Sequence, residues 1–183
     1  MRILVTIVAA FLMFGNIAQA QKFMTKNGNI SFFSTMPMEN IEAHNKQVNA
    51  AIDSKTGDFV VKVLIKSFEF EKALMQEHFN ENYMESDKLP NATLSAKIKN
   101  IAEIDFAKDG IYPADVEGKL TIHGVTKDVT EKGTITVKAG KVNAASTIDV
   151  KVADYGIKIP NTVVNNISET ISVKIDLNLE PLK

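Results

Sequence analysis

The sequence contains no cysteine and no tryptophan, and its formal net charge at pH 7 is only −1. Without cysteine, the chain can form no disulfide bond, no thiolate metal site and no thiol nucleophile. It also cannot carry a lipid on a cysteine that follows a signal peptide. The near-neutral charge gives no reason to expect a nucleic acid or an anionic membrane surface as partner. At 183 residues, the chain is long enough for one domain with a sizeable apolar core.

Catalytic and metal-binding motifs are also missing from the sequence. The three histidines, His44, His78 and His123, lack the HxH or HExxH spacing that brings metal ligands together. Serines such as Ser34 and Ser146 lie in strand-like patterns without a neighbouring base, and no glycine-rich phosphate loop occurs. We therefore expect no metal, no cofactor and no catalytic residue.

The first twenty residues have the features of a secretory signal peptide. Arg2 gives a positive start, residues 3–14 form an apolar run, and residues 18–20 (AQA) form a small-residue cleavage site. The apolar run is too short for a transmembrane helix. Cleavage after Ala20 would leave residues 21–183 as one exported domain without a transmembrane segment. We expect this domain to be periplasmic or secreted.

From Asn29 onwards, the sequence consists mostly of segments in which apolar and polar residues alternate. Alternation of this kind places every second side chain on the same face of a β-strand. Residues 59–68 and 142–152 are clear examples, and turn residues separate such segments. The predicted strands are residues 30–35, 48–53, 59–68, 92–98, 116–123, 126–137, 142–152 and 171–179. Eight strands joined mostly by short loops predict an all-β, antiparallel, up-and-down barrel.

One segment follows a helical period instead. Residues 71–86, between the third and fourth predicted strands, carry apolar and polar-tipped residues at i, i+3 and i+4 spacing. That stripe consists of Leu74, Met75, His78, Phe79, Asn82 and Tyr83. Glu77, Glu81 and Glu85 fall on the opposite side. We predict one amphipathic helix that ends near Pro90 and covers one end of the barrel.

The polar faces of the predicted strands carry several lysines, including Lys62, Lys97 and Lys174. A charge facing lipid near the bilayer midplane would cost about 2–4 kcal/mol, which argues against an outer-membrane barrel. The apolar faces therefore point into the lumen. Large inward residues such as Phe59 and Ile98 are mixed with small ones such as Ala50 and Ser34. Because an eight-stranded barrel can be filled or can hold a ligand, the pattern alone leaves both alternatives open.

Several separate segments resemble the YceI-like family. Residues 78–90 (HFNENYMESDKLP) resemble its helix-to-strand junction, and residues 120–127 (LTIHGVTK) resemble a strand-turn segment of the family. Residues 154–157 (DYGI) resemble its Asp-aromatic-Gly turn, and residues 171–179 resemble its last strand. One departure is Asp128, where the family often has proline. The resemblance covers essentially all of residues 21–183.

The resemblance implies an exported, lipocalin-like barrel that sequesters or carries a polyisoprenoid, or another long apolar lipid of quinone-like or polyprenyl type. It shifts the expectation towards a hollow lumen. The residues expected to line the lumen and its mouth are Phe59, Val61, Val63, Ile65, Leu74, His78, Phe79, Tyr83, Leu94, Ala96, Gly118, Leu120, Ile122, Ala144, Ser146, Ile148, Val173 and Ile175.

Two alternatives to a lipid carrier remain open at this point. A filled barrel could serve as an interaction or stress-response module without a ligand. Less favoured is an enzyme that modifies a bound lipid through His78 or Tyr83. The sequence is also compatible with a homodimer.

Overall fold

The computed structural model describes residues 21–35, 40–160 and 167–182. The predicted signal peptide, residues 1–20, lies outside the described residues. Within the described part of the chain, no helix is long and apolar enough to cross a membrane.

Eight long antiparallel strands form a closed barrel. In the described ranges, the strands are β1 (Lys22–Thr35), β2 (Asn40–Asp53), β3 (Asp58–Leu64), β4 (Glu69–Phe70), β5 (Asn91–Ile98), β6 (Gly110–Ile122), β7 (Val125–Lys138), β8 (Lys141–Lys151) and β9 (Thr170–Pro181). The two-residue β4 adds to β2, and each long strand pairs with the next one along the chain. Pairing of β9 with β1, and of β1 with β2, closes the sheet. The predicted eight-stranded up-and-down barrel is confirmed.

Side-chain alternation explains why these segments are strands. On β3, Phe59, Val61 and Val63 are buried, while the residues between them are exposed. The predicted bounds match the observed ones most closely for β5, β7 and β8. Three strands extend further than predicted: residues 22–29, 40–47 and 110–115 were missed. In the first of these, a register shift around Gly28 interrupts the alternation of β1, so the pattern is not visible there.

The predicted helix is shorter and less amphipathic than its pattern suggested. Helix α1 (Ala73–His78) is followed by a π-helical turn (Phe79–Tyr83), and none of these residues is fully buried. The wider turn changes which side chains share a face, so the i, i+3, i+4 stripe does not continue through it. Leu74 is 61% exposed and His78 is also exposed. The prediction that both lie on a buried stripe was wrong.

The two ends of the barrel are packed differently. At one end, Phe23, Ile52, Ile98, Val142 and Leu179 are each only 1% exposed and fill the lumen. We call this the closed end. The opposite end, where β3 and β6 finish and β5 begins, carries helix α1 and is called the helix end. The unfilled space lies between the middle of the barrel and the helix end.

Candidate functional site

The barrel contains an apolar cavity with a volume of about 230 Å³. On the same measure, one water molecule needs only roughly 10–15 Å³, so the space is large enough for part of an organic ligand. Its apolar lining residues are Ile30, Phe32, Phe59, Val61, Val63, Ile65, Phe68, Phe79, Met84, Ala92, Leu94, Ile98, Ala114, Val116, Leu120, Ile122, Val129, Ile135, Ala144, Ala145, Ile148, Val150, Val152, Ile157, Ile171, Val173 and Ile175. A hollow barrel therefore describes this fold better than a filled one.

Cross-strand register brings these side chains to one face. Val61 on β3 pairs with Leu94 on β5, which pairs in turn with Leu120 on β6. Directly paired residues of antiparallel strands project to the same side of the sheet. On the opposite wall, Ile148 of β8 pairs with Val173 of β9. Segments far apart in the sequence thus contribute to one continuous apolar surface.

Most of the predicted lumen residues line this cavity. They are Phe59, Val61, Val63, Ile65, Phe79, Leu94, Leu120, Ile122, Ala144, Ser146, Ile148, Val173 and Ile175. Their contact with a ligand remains a prediction. Leu74, His78, Tyr83, Ala96 and Gly118 are not among the lining residues. For Leu74, His78 and Tyr83, the expected position on the lumen or mouth was wrong. Ala96 pairs with Phe59 and Gly118 pairs with Ala96, so both lie on the inward face of the sheet although they do not line the cavity.

Gly118 and Ala96 have a structural role instead. They are paired on β6 and β5, and a Cβ atom added to Gly118 would lie 2.4 Å from the Cα of Ala96. It would lie equally close to the carbonyl oxygen of Ser95. Since real Cβ atoms do not approach other heavy atoms this closely, glycine is required for the two strands to come together. The small size of Gly118 therefore serves strand contact and does not create lumen volume.

Tyr83 packs outside the cavity against a second apolar cluster that includes Met84, Tyr155 and Ile157. Partial burial raises the pKa of the Tyr83 phenol. Its neighbour Met84 is buried and lines the cavity, which the helical pattern did not predict. The π-helical turn explains why Met84 lines the cavity in place of Tyr83, because the wider turn changes the direction in which consecutive side chains point.

Four phenylalanine rings meet at the helix end. Phe79 lies 5.0 Å from Phe70, 5.4 Å from Phe32 and 5.7 Å from Phe68, measured between ring centroids. These separations are typical of attractive aromatic pairs. Phe32, Phe68 and Phe79 also line the cavity. Sequence analysis missed Phe32 and Phe68, although the alternation of Ile30 and Phe32 on β1 was a usable signal.

His123 belongs to a structural contact at the same end. Its Nδ1 lies 3.2 Å from the carbonyl oxygen of Tyr155, and its Nε2 lies 3.3 Å from the carboxylate of Glu85. These contacts connect the β6–β7 turn with Tyr155, in the segment after β8, and with Glu85, after the π-helical turn. Hydrogen bonds from Lys88 and His123 hold the pKa of Glu85 below its usual range. In the described part of the chain, no group of three or more His, Asp or Glu residues could hold a metal ion.

The barrel wall is incomplete between β7 and β8. These strands pair only from Thr134 and Ala145 to Lys138 and Lys141 at the closed end. Towards the helix end, residues 125–133 pair with β6 alone and residues 146–151 pair with β9 alone. We call this gap between residues 125–133 and 146–151 the slot.

Both edges of the slot line the cavity. Val129, Glu131 and Gly133 contribute from β7, and Ser146, Ile148 and Val150 contribute from β8. Where the slot begins, the Ser146 hydroxyl donates a hydrogen bond of 2.7 Å to the carbonyl oxygen of Lys132. The cavity therefore reaches the edge of the sheet along the side of the barrel.

Glu131 brings a carboxyl group to this otherwise apolar surface. It pairs with Val116, whose side chain also lines the cavity, so the two share the inward face. Burial raises the pKa of Glu131, and the negative charge of Asp149 across the slot raises it further. Among the described residues, no hydrogen bond or ion pair is made by the Glu131 carboxyl.

Comparison with known proteins places the chain in a family. Residues 21–179 match the YceI-like domain. A search of the curated proteins finds no significant match. Among solved structures, a polyisoprenoid binding domain from Saccharophagus degradans implicated in plant cell wall breakdown has a TM-score of 0.77 and 16% identity. The alignment covers 90% of this chain and 100% of that domain.

Two further structures share the fold. Burkholderia cenocepacia BcnA has a TM-score of 0.68 and 16% identity, with 82% of this chain and 95% of that one covered. The Campylobacter jejuni YceI protein has a TM-score of 0.62 and 20% identity, with 81% and 89% covered. At these identities the structures support the barrel fold, and the family assignment rests on the domain match. The chain belongs to the YceI-like domain family.

Proposed function

We propose that the protein sequesters or carries a polyisoprenoid, of quinone-like or polyprenyl type, in its apolar cavity. The observation that carries this proposal is the cavity of about 230 Å³ lined almost entirely by apolar side chains. Membership of the YceI-like family supports it, as does the similar barrel of the polyisoprenoid binding domain from Saccharophagus degradans.

The chemistry of the cavity suits a branched hydrocarbon tail. Burial of each methylene-sized group contributes about 0.8 kcal/mol, so a few isoprene units give strong binding without a hydrogen bond to the tail. Alternating large and small residues, such as Ile148 and Ala144 on β8, set the width of the space. Tail length would be selected by the depth of the cavity, which ends at the packed residues of the closed end.

We further propose that the protein acts after export, in the periplasm or outside the cell, and that it performs no catalysis. The predicted signal peptide supports export. The positions of His78 and Tyr83 away from the cavity lining favour binding over chemistry on a bound lipid. A homodimer stays compatible with the proposal but is not needed for it, because one chain encloses the cavity.

Organic extraction of the purified protein tests the proposal most directly. Residues 21–183 would be purified gently after expression with the native leader, and the extract analysed by mass spectrometry. We expect a prenyl lipid at a fixed ratio to protein, and uptake of added quinone or polyprenyl alcohol after delipidation. Repeated recovery of no lipid, together with no uptake of either ligand, would contradict the proposal. The size of the protein secreted or released from the periplasm tests cleavage after Ala20.

A further inference from the structure

We infer that the slot between β7 and β8 holds the polar end of the ligand, and that Glu131 selects an uncharged hydroxyl-bearing head group over a phosphorylated one. This inference rests on the proposed function, because it needs an apolar tail in the cavity. It concerns a separate property, namely which chemical class of prenyl lipid the site accepts.

The first argument is the geometry of the wall. A ligand with an apolar tail and a polar head needs one place where the cavity meets water. At the closed end, tightly packed residues such as Phe23 and Leu179 fill the lumen. At the helix end, the phenylalanine cluster around Phe79 lies over the cavity. The slot runs along the side of the cavity, and its two edges share no backbone pairing beyond Thr134 and Ala145.

The second argument is the polarity of the slot. Glu131 is the carboxylic acid among the residues that line the cavity, and it lies on the inward face of β7 at the slot edge. In the described structure its oxygens accept no hydrogen bond from the protein, so they are available to a ligand donor. The Ser146 hydroxyl on the other edge already donates its hydrogen to the carbonyl oxygen of Lys132. A hydroxyl group at the end of a tail would complete the hydrogen bonding of Glu131.

The third argument is the charge around Glu131. Asp149 on β8 is the charged neighbour that affects its titration, and both groups are acidic. Lys132, the next residue on β7, is also among the residues that line the cavity, and its ammonium group donates a hydrogen bond of 2.7 Å to the carboxylate of Asp115. Lys127 lies four residues further towards the helix end, which is about 13 Å along a strand. Lys151, two residues beyond Asp149 on the β8 edge of the slot, lies about 7 Å along that strand and, like Asp149, on its exposed face. A phosphate or pyrophosphate on the inward face of the slot would therefore lie beside the Glu131 carboxylate and be repelled by it, whereas an alcohol or a hydroquinone would not be repelled.

Three ligands with the same tail separate the contribution of the head group to binding affinity from the contribution of the tail. Geranylgeraniol, its methyl ether and geranylgeranyl pyrophosphate would be titrated into delipidated protein at pH 8, well above the ordinary range of a carboxyl group. We expect the alcohol to bind about 10- to 100-fold more tightly than the ether, which is the range for a hydrogen bond to a charged group. We expect the pyrophosphate to bind more weakly than the alcohol.

Two substitutions then assign these differences to Glu131. Glu131→Leu should make the alcohol and the ether bind alike, and Glu131→Gln should strengthen pyrophosphate binding relative to the ether. Asp128→Asn is the matched control, because it removes a carboxylate from the exposed face of the same strand. This control should leave the affinities of the alcohol and the pyrophosphate relative to the ether unchanged. Both Glu131 variants remove a partly buried charge, and ether binding reports whether the cavity is intact in each.

The outcomes distinguish this inference from the proposed function. If none of the three ligands binds, the proposed function fails. If the ether binds but the alcohol gains nothing from Glu131, only the head-group inference fails. It is also overturned if the pyrophosphate binds more tightly than the alcohol, because Glu131 would then not select against a charged head group.

Discussion

Ala144→Phe is the substitution that most directly tests whether the cavity holds the tail. Ala144 is 6% exposed, lines the cavity, and pairs with Ile135 on β7 and Leu177 on β9. A phenyl ring at this position would occupy the deep part of the cavity, next to the packed closed end. The ring takes roughly the space of one isoprene unit, so the tail would lose one unit of burial.

The size of the effect follows from that lost burial. At about 0.8 kcal/mol for each methylene-sized group, the five carbons of an isoprene unit contribute about 4 kcal/mol. This free energy corresponds to roughly a thousandfold increase in the dissociation constant. Ligands with shorter tails would lose less, because their ends do not reach Ala144. We therefore expect the loss of affinity to grow with tail length.

Stability should respond differently in a hollow and in a filled barrel. An overpacked core loses about 1–3 kcal/mol, which lowers the melting temperature by roughly 2–4 °C for each kcal/mol in a domain of this size. In a hollow barrel the added ring enters free space and gains burial, so the melting temperature should be retained. The comparison requires delipidated protein, because a bound ligand itself raises the melting temperature.

Lipid content by mass spectrometry, ligand titration and thermal unfolding would be measured on the same preparations. Thr147→Phe is the matched control, since Thr147 is exposed on the opposite face of the same strand. It should leave affinity unchanged. Lipid retained at the wild-type level in Ala144→Phe would refute the reasoning. A drop of more than about 4 °C in the delipidated variant would equally show that this part of the lumen is packed.

Three further substitutions test other parts of the structure. Gly118→Ala should lower the free energy of unfolding by about 2 kcal/mol or more, because its Cβ would clash with the backbone of β5; unchanged urea denaturation would show that this close approach is not required. Phe79→Asp should reduce lipid retention more than it reduces stability, whereas Leu74→Asp on the exposed side of α1 should change neither. Equal losses of lipid retention and stability in the Phe79 variant would show that Phe79 is an ordinary core residue. Glu131→Gln should stabilise the delipidated protein at neutral pH. Folding raises the pKa of Glu131, so the native state loses stability as pH rises through that pKa. The advantage of the variant should disappear below about pH 4, where the carboxyl is protonated in both states. A constant difference between pH 3 and pH 8 in thermal unfolding would contradict this assignment.

The closed barrel was predictable because its strands follow a local rule. Alternation along residues 59–64 and 142–151 decides which side chains face the core, and this pattern is a property of neighbouring residues. The prediction of strand and helix faces failed where the backbone departs from a regular period. Gly28 shifts the register of β1, and the π-helical turn after His78 changes the face of the helix segment. These irregularities explain the missed start of β1 and the wrong position of Tyr83. Leu74 and His78 lie one turn apart within α1, on its exposed side.

The sequence by itself determined the strand pattern, the polarity of the two sheet faces and most of the lining residues. Only the tertiary structure showed that the cavity is empty towards the helix end, that Gly118 brings β5 and β6 together, and that Glu131 lies at a gap between β7 and β8. The physical reason is that face selection depends on a period of two residues along one strand. Lumen volume, strand separation and an incomplete pairing depend on contacts between segments that are distant in the sequence, and no local pattern encodes them.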